Sequence, residues 1–137
     1  MSTPDHIQAA IALHNAVTET FRPMELFQAA QAYGGVNVSV GHGKQKQPDA
    51  GWGATRPPCG VPKRPGVVVE VGLSEPETKL CNDARMWVDP VRGEAKMTIT
   101  VKVNRRKPEL NLHTWEWELR STTSAGHTVN CYRKDQQ

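Results

Sequence analysis

The chain reads as a mixed α/β (α+β) fold, a central sheet flanked by helices. Three observations predict this. Residues 67–72, VVVEVG, are apolar at alternating positions on both sides, as in a strand covered from both faces. Helical periodicity stands on either side of it, at 4–21 and 76–88. Alternating segments at 36–40, 97–103 and 115–119 supply further strands. At 137 residues, a single domain accounts for the whole chain, 1–137. It divides into a helical N-terminal part over 4–34 and a sheet-and-helix core over 36–133.

The elements follow in order. Ile7, Ala10, Ile11, His14, Val17 and Phe21 recur at helical spacing, with Ser2 or Thr3 as cap and Pro4 at the first helical position. Pro23 interrupts, and 24–33 reads as a second helical piece ending at Gly34-Gly35. Val36, Val38 and Val40 alternate with polar residues, Gly41-His42-Gly43 turns, and 44–52 returns as a partner strand carrying Asp49. Residues 53–66 are a Pro/Gly loop with Arg56, Lys63 and Arg64. After the 67–72 strand, Ser74 or Glu75 with Pro76 opens a helix with core stripe Leu80, Ala84, Trp87 and Val88, stopped by Asp89-Pro90 and Gly93. Met97, Ile99, Val101 and Val103 alternate in a strand. Arg105, Arg106 and Lys107 make a basic turn, Trp115, Trp117 and Leu119 alternate in a further strand, and 129–132 adds a short edge.

Composition narrows the functional classes. The net charge of +3 is uneven: residues 1–42 are acidic on balance, and the rest is basic, which suits a polyanionic partner. Cys59, Cys81 and Cys131 are odd in number and widely spaced, so neither a disulfide framework nor a zinc site is indicated and reduced thiols are expected. The N-terminal segment is amphipathic and no apolar run is long enough to span a bilayer, so an intracellular protein, cytoplasmic or nuclear, is expected, with no membrane partner.

Chemistry is concentrated between residues 47 and 85. Asp49 follows Pro48 within the expected 44–52 strand, and Glu70 lies inside the apolar run of another. A carboxylate in a buried strand is costly unless a cation or hydrogen bonds compensate it. Two carboxylates at neighbouring strand ends can hold a divalent metal.

The pattern PDA, a connector, VVVEVGLSE and a following helix resembles the PD-(D/E)XK nuclease superfamily. It is most similar to the Uma-type restriction-endonuclease branch and to fungal proteins reading roughly PDA…VVEVG.SE…L..DA..W. The resemblance covers about residues 36–119. It implies a restriction-endonuclease-like sheet and a magnesium (or manganese) ion held by Asp49, Glu70 and the carbonyl of Val71. It further implies hydrolysis of DNA or RNA phosphodiester bonds. The chain departs from the pattern at Gly72, where the superfamily has lysine. In the Uma-type branch the cation moves to the following helix, where the matching residue is Arg85; Lys44 and Lys46 are other candidates, and Glu19 is an outer metal ligand in this reading. Arginine binds phosphate through its fork but takes no proton at neutral pH.

Simpler readings stand beside these. Pro48-Asp49 is also an ordinary turn signal. An ion pair between Glu70 and Arg85 accounts for both residues without catalysis. Core packing accounts for Trp87, Trp115 and Trp117, while Trp52 is open to base stacking. Gly72 admits a catalytically inactive fold that binds nucleic acid or a protein, and the strand edge near 129–132 admits a homodimer.

Overall fold

The structure, a computed structural model, describes residues 3–73, 75–107, 109–122 and 126–135, with residues 118–135 described by backbone alone. Ser2 and Ser74, two of the expected caps, lie outside the described residues. The elements run α1 (Pro4–Phe21), β1 (Ala30–Ala32), β2 (Val38–Ser39), β3 (Gln45–Lys46), β4 (Ala50–Ala54), β5 (Val67–Gly72), α2 (Glu77–Val88), β6 (Met97–Asn104), β7 (Glu109–Thr122) and β8 (Gly126–Asp135).

Six strands form one mixed sheet in the order β1-β4-β5-β6-β7-β8, and β2 with β3 forms a separate ribbon. Among the described residues the only parallel pair is β5 with β6, joined by α2, as a strand–helix–strand crossover requires. All other neighbours are antiparallel.

Strand β5 is inside the sheet, and Val68 to Gly72 are all buried. Its period of two sends Val69 and Val71 to one face, where they pack with Trp52, Val101 and Ala10 of α1. Val68 points to the other face, among Met86 and Trp87 of α2. The two helices therefore cover opposite faces of the sheet. The expected α2 stripe is correct: Leu80, Ala84, Trp87 and Val88 are all buried.

Four details differ from the sequence reading. The strand expected over 36–40 is reduced to Val38–Ser39, which pairs with β3 outside the main sheet. The 24–33 segment is not a helix. Glu25 has a left-handed φ of 57°, and Ala30–Ala32 pairs with β4. Long-range pairing here overrides the helical propensity of an Ala-rich segment. The 44–52 strand is split into β3 and β4, with Gln47, Pro48 and Asp49 outside both; Pro48 has no N–H for a ladder. The α1 stripe is rotated, with Ala10, Leu13, Val17 and Phe21 facing the sheet and Ile7 and Ile11 about half exposed.

Candidate functional site

At the C-terminal end of β5, a cleft of about 230 Å³ is lined by Thr3, His6, Lys46, Asp49, Glu70, Val71, Leu73, Glu75, Lys79 and Asp83. The antiparallel pairing of β4 with β5 matches Ala50 to Val69, so Asp49 arrives beside the end of β5 that carries Glu70 and Val71. The start of α1 brings Thr3 and His6, while α2 brings Lys79 and Asp83 from successive turns. Asp49, Glu70 and Val71, named from the sequence, thus line one cleft.

Glu70 is 6% exposed. Its Oε1 accepts a hydrogen bond from Trp87 Nε1 at 2.6 Å and lies 3.8 Å from Lys46 Nζ. Burial pushes the Glu70 carboxyl up to about 8; the Lys46 charge and the indole hydrogen bond oppose this, and the charges of Asp49 and Asp83 add to it. Lys46 is shared, with Nζ 2.5 Å from Asp83 Oδ1.

Asp49 Oδ2 accepts from the Val71 backbone N–H at 2.8 Å. His6 Nε2 is 2.7 Å from the Val71 carbonyl oxygen and 3.2 Å from Asp49 Oδ2. A carbonyl oxygen only accepts, so Nε2 carries the hydrogen in this arrangement. Thr3 Oγ1 accepts from the His6 N–H at 3.3 Å and fixes the first turn of α1.

Arg85 is not in this cleft. Asp83 and Trp87, four residues apart, share the helix face toward Glu70; Arg85 is about 200° around from Asp83 at 100° per residue. It is exposed and lines a separate groove with Asn82, Met86 and Trp117. Glu70 is accordingly compensated by Trp87 and Lys46, not by Arg85. Glu19 is also elsewhere, exposed and paired with Arg22 at 3.5 Å.

Gly72 has a packing reason. A Cβ there would stand 3.2 Å from Leu80 Cδ2 and 3.7 Å from the stem of Lys102, its register partner on β6. A side chain at this position would require Leu80 of α2 to give by a few tenths of an ångström, and the cation nearest Glu70 is Lys46 of β3, 3.8 Å away. Trp52 is buried, stacked with His14 at 5.7 Å and edge-on to Phe21, so it serves the core.

His6 was not legible from any ligand motif. The signal was its phase: His6, Ala10, Leu13 and Val17 continue one helical stripe, so a polar residue heads the face that packs on the sheet.

As a cation site, the cleft offers hard oxygen donors, two carboxylates and a backbone carbonyl, on adjoining strand ends. Among the described residues, no three His, Cys, Asp or Glu side chains form a ready-made metal group. The Val71 carbonyl lies outside such a side-chain set, and Glu70 Oε1 is turned to Trp87. With Glu70 holding its proton up to about 8, three charged carboxylates (Asp49, Glu75 and Asp83) face two lysines (Lys46 and Lys79) across the cleft. That excess of negative charge favours an added cation.

The chain matches no family model, no curated protein and no solved structure. Among the described residues, no helix is long and apolar enough to cross a membrane.

Proposed function

We propose that the cleft is a divalent-metal-dependent phosphodiesterase site acting on DNA or RNA. The observation that carries this reading is Glu70, a buried carboxylate sharing a cleft with Asp49, the Val71 carbonyl and Lys46. Asp49, Glu70 and the Val71 carbonyl are the groups that would hold magnesium or manganese. A bound divalent ion supplies Lewis acidity toward a phosphoryl oxygen and acidifies the attacking water.

The protein groups have separate parts in this reading. Lys46 stabilises charge on the phosphate, the part expected of the superfamily lysine. Trp87 holds Glu70 in one orientation through a buried hydrogen bond. Arg105 contacts Thr3 Oγ1 at 3.3 Å, so the basic turn over Arg105, Arg106 and Lys107 stands beside the cleft lining, where phosphates flanking the reacting one would lie. Cys59 and Cys81 are free thiols, in keeping with an intracellular setting.

The test is incubation with single- and double-stranded DNA and RNA in magnesium or manganese. Cleavage is expected, and Asp49→Asn and Glu70→Gln each abolish it in folded protein. Cleavage that survives both substitutions ends the hydrolase reading.

A second reading, nucleic-acid binding without hydrolysis, is favoured by the 2.5 Å ion pair that ties Lys46 to Asp83. It predicts salt-dependent binding of oligonucleotides with no cleavage in either ion.

A further inference from the structure

We propose that the cleft continues into a base-binding groove along α1, so that its substrate is an unpaired nucleic-acid strand and not a duplex. The inference rests on the reading that the cleft takes a phosphodiester.

The groove has a volume of about 520 Å³ and shares His6 and Asp49 with the cleft. From there it follows α1 past Ile7, Ala10 and Ile11 to His14. Eight residues of helix at 1.5 Å each give it a length of roughly 12 Å. One end therefore opens where the reacting phosphate would lie, and the other runs away from the carboxylates and lysines. His14 stands at that far end, its ring held in a stack 5.7 Å from Trp52.

The two walls differ in kind. On α1, Ile7 and Ile11 are 48% and 49% exposed, an apolar ridge one turn apart that the sheet does not cover. Opposite stand Ala32, Gly34 and Gly35, where no side chain extends beyond Cβ. Tyr33 to Val36 is a turn closed by a 3.0 Å bond from the Val36 N–H to the Tyr33 carbonyl, and Gly35 takes its left-handed φ of 71° there. Among the described residues Gly34 makes no backbone hydrogen bond, so the N–H and carbonyl of this exposed glycine remain for a ligand.

A nucleobase has the same pairing of surfaces, two flat apolar faces and an edge of donors and acceptors. The isoleucine ridge suits a face, and the Gly34 backbone suits an edge. A base inside a duplex has neighbours on both faces and its edge turned to its partner, so it can offer neither until it leaves the stack. The charged cleft accounts for the phosphate, and the groove accounts for the base attached to it.

The first experiment measures binding. Full-length protein with carbon-13 in its isoleucine methyl groups is titrated with thymidine monophosphate and, as the base-free control, with ribose phosphate. The chain has three isoleucines, and Ile99, packed against the buried cluster beneath α1, is the internal reference. The expected result is a shift of the Ile7 and Ile11 methyls by the nucleotide, with Ile99 unmoved and no shift from ribose phosphate.

Cleavage is then compared on a single strand, on the matching duplex, and on a strand with one abasic position beside the scissile phosphate. Native protein is expected to favour the intact single strand over both by at least about tenfold, the scale of a lost apolar contact in a pocket. Ile7→Ala combined with Ile11→Ala is expected to erase the preference for a base by slowing only the intact strand. Both positions are half exposed on a helix, where alanine is the better helix former, so the double variant folds. A merely structural role for the isoleucines slows the intact and abasic strands alike, and that result overturns the proposal. An absent isoleucine shift, or equal cleavage of strand and duplex, overturns it as well. Isoleucine shifts in a protein that cleaves nothing keep the base groove and remove the hydrolase reading. Cleavage without those shifts does the reverse.

Discussion

Trp87 Nε1 donates to Glu70 Oε1 at 2.6 Å, and both side chains are buried. The bond joins the crossover helix to the strand that carries the acidic centre. Trp87→Phe removes the donor while keeping most of the ring volume. The expected cost is about 2 kcal/mol or more, because a buried acceptor loses its partner. Urea denaturation measures it. Since the indole bond lowers the Glu70 pKa, the same substitution moves that titration further up, readable by carboxyl-carbon NMR.

Stability depends on pH through Glu70. Its carboxyl titrates near 8 in the folded chain against 4.5 as the ordinary value. The folded state then holds its proton more tightly than the unfolded state. The contribution is fully present below pH 4.5 and is lost as pH rises through about 8. Glu70→Gln removes this slope. Urea midpoints collected from pH 5 to 9 should fall with rising pH in the native protein relative to the variant; parallel curves would remove the assignment.

Lys46 and Arg85 make opposite predictions. Lys46→Met takes away the cation that opposes the rise in the Glu70 pKa and leaves Asp83 without its pair. A fall of roughly 10²-fold or more in phosphodiester cleavage is expected, by comparison with the loss of single charge-stabilising donors elsewhere. Arg85→Ala, at an exposed position on another groove, should leave cleavage unchanged and stability within about 0.5 kcal/mol. Equal losses from the two substitutions would contradict the placement of the cleft.

Gly93 supports the site from a distance. A Cβ there would stand 2.4 Å from the Trp87 carbonyl oxygen and 2.5 Å from the Trp87 Cα. These are backbone atoms and cannot rotate away. Gly93→Ala should cost about 3 kcal/mol, at the upper end of ordinary overpacking. It should also displace the indole, so a fall in tryptophan near-ultraviolet dichroism accompanies the lower thermal midpoint.

Much of the architecture was legible because its signals are local. The Val67–Gly72 strand declares itself by apolar residues on both faces, and α2 by a stripe every three or four residues. The meeting of Asp49 with Glu70 was implied by the family resemblance, and in the structure it comes from the antiparallel pairing of β4 with β5. What was not legible depended on helix phase or on partners far away in sequence. Arg85 was placed by counting along a motif, whereas Asp83 and Trp87 show which way α2 faces. Residues 24–33 look helical alone, yet Ala30–Ala32 finds hydrogen bonds on β4. His6 acquires its meaning only when α1 lies across the end of β5, 65 residues away from Val71.

The exposed Pro/Gly segment between β4 and β5 divides the cleft in an unusual way. His6, Lys46 and Asp49 precede it, while Glu70, Asp83 and Trp87 follow it. A single proteolytic nick at this loop would leave two peptides, neither holding a complete set of acidic and basic partners. Whatever the cleft does is therefore a property of reassembled halves, and fragment complementation can report on it without altering a single side chain.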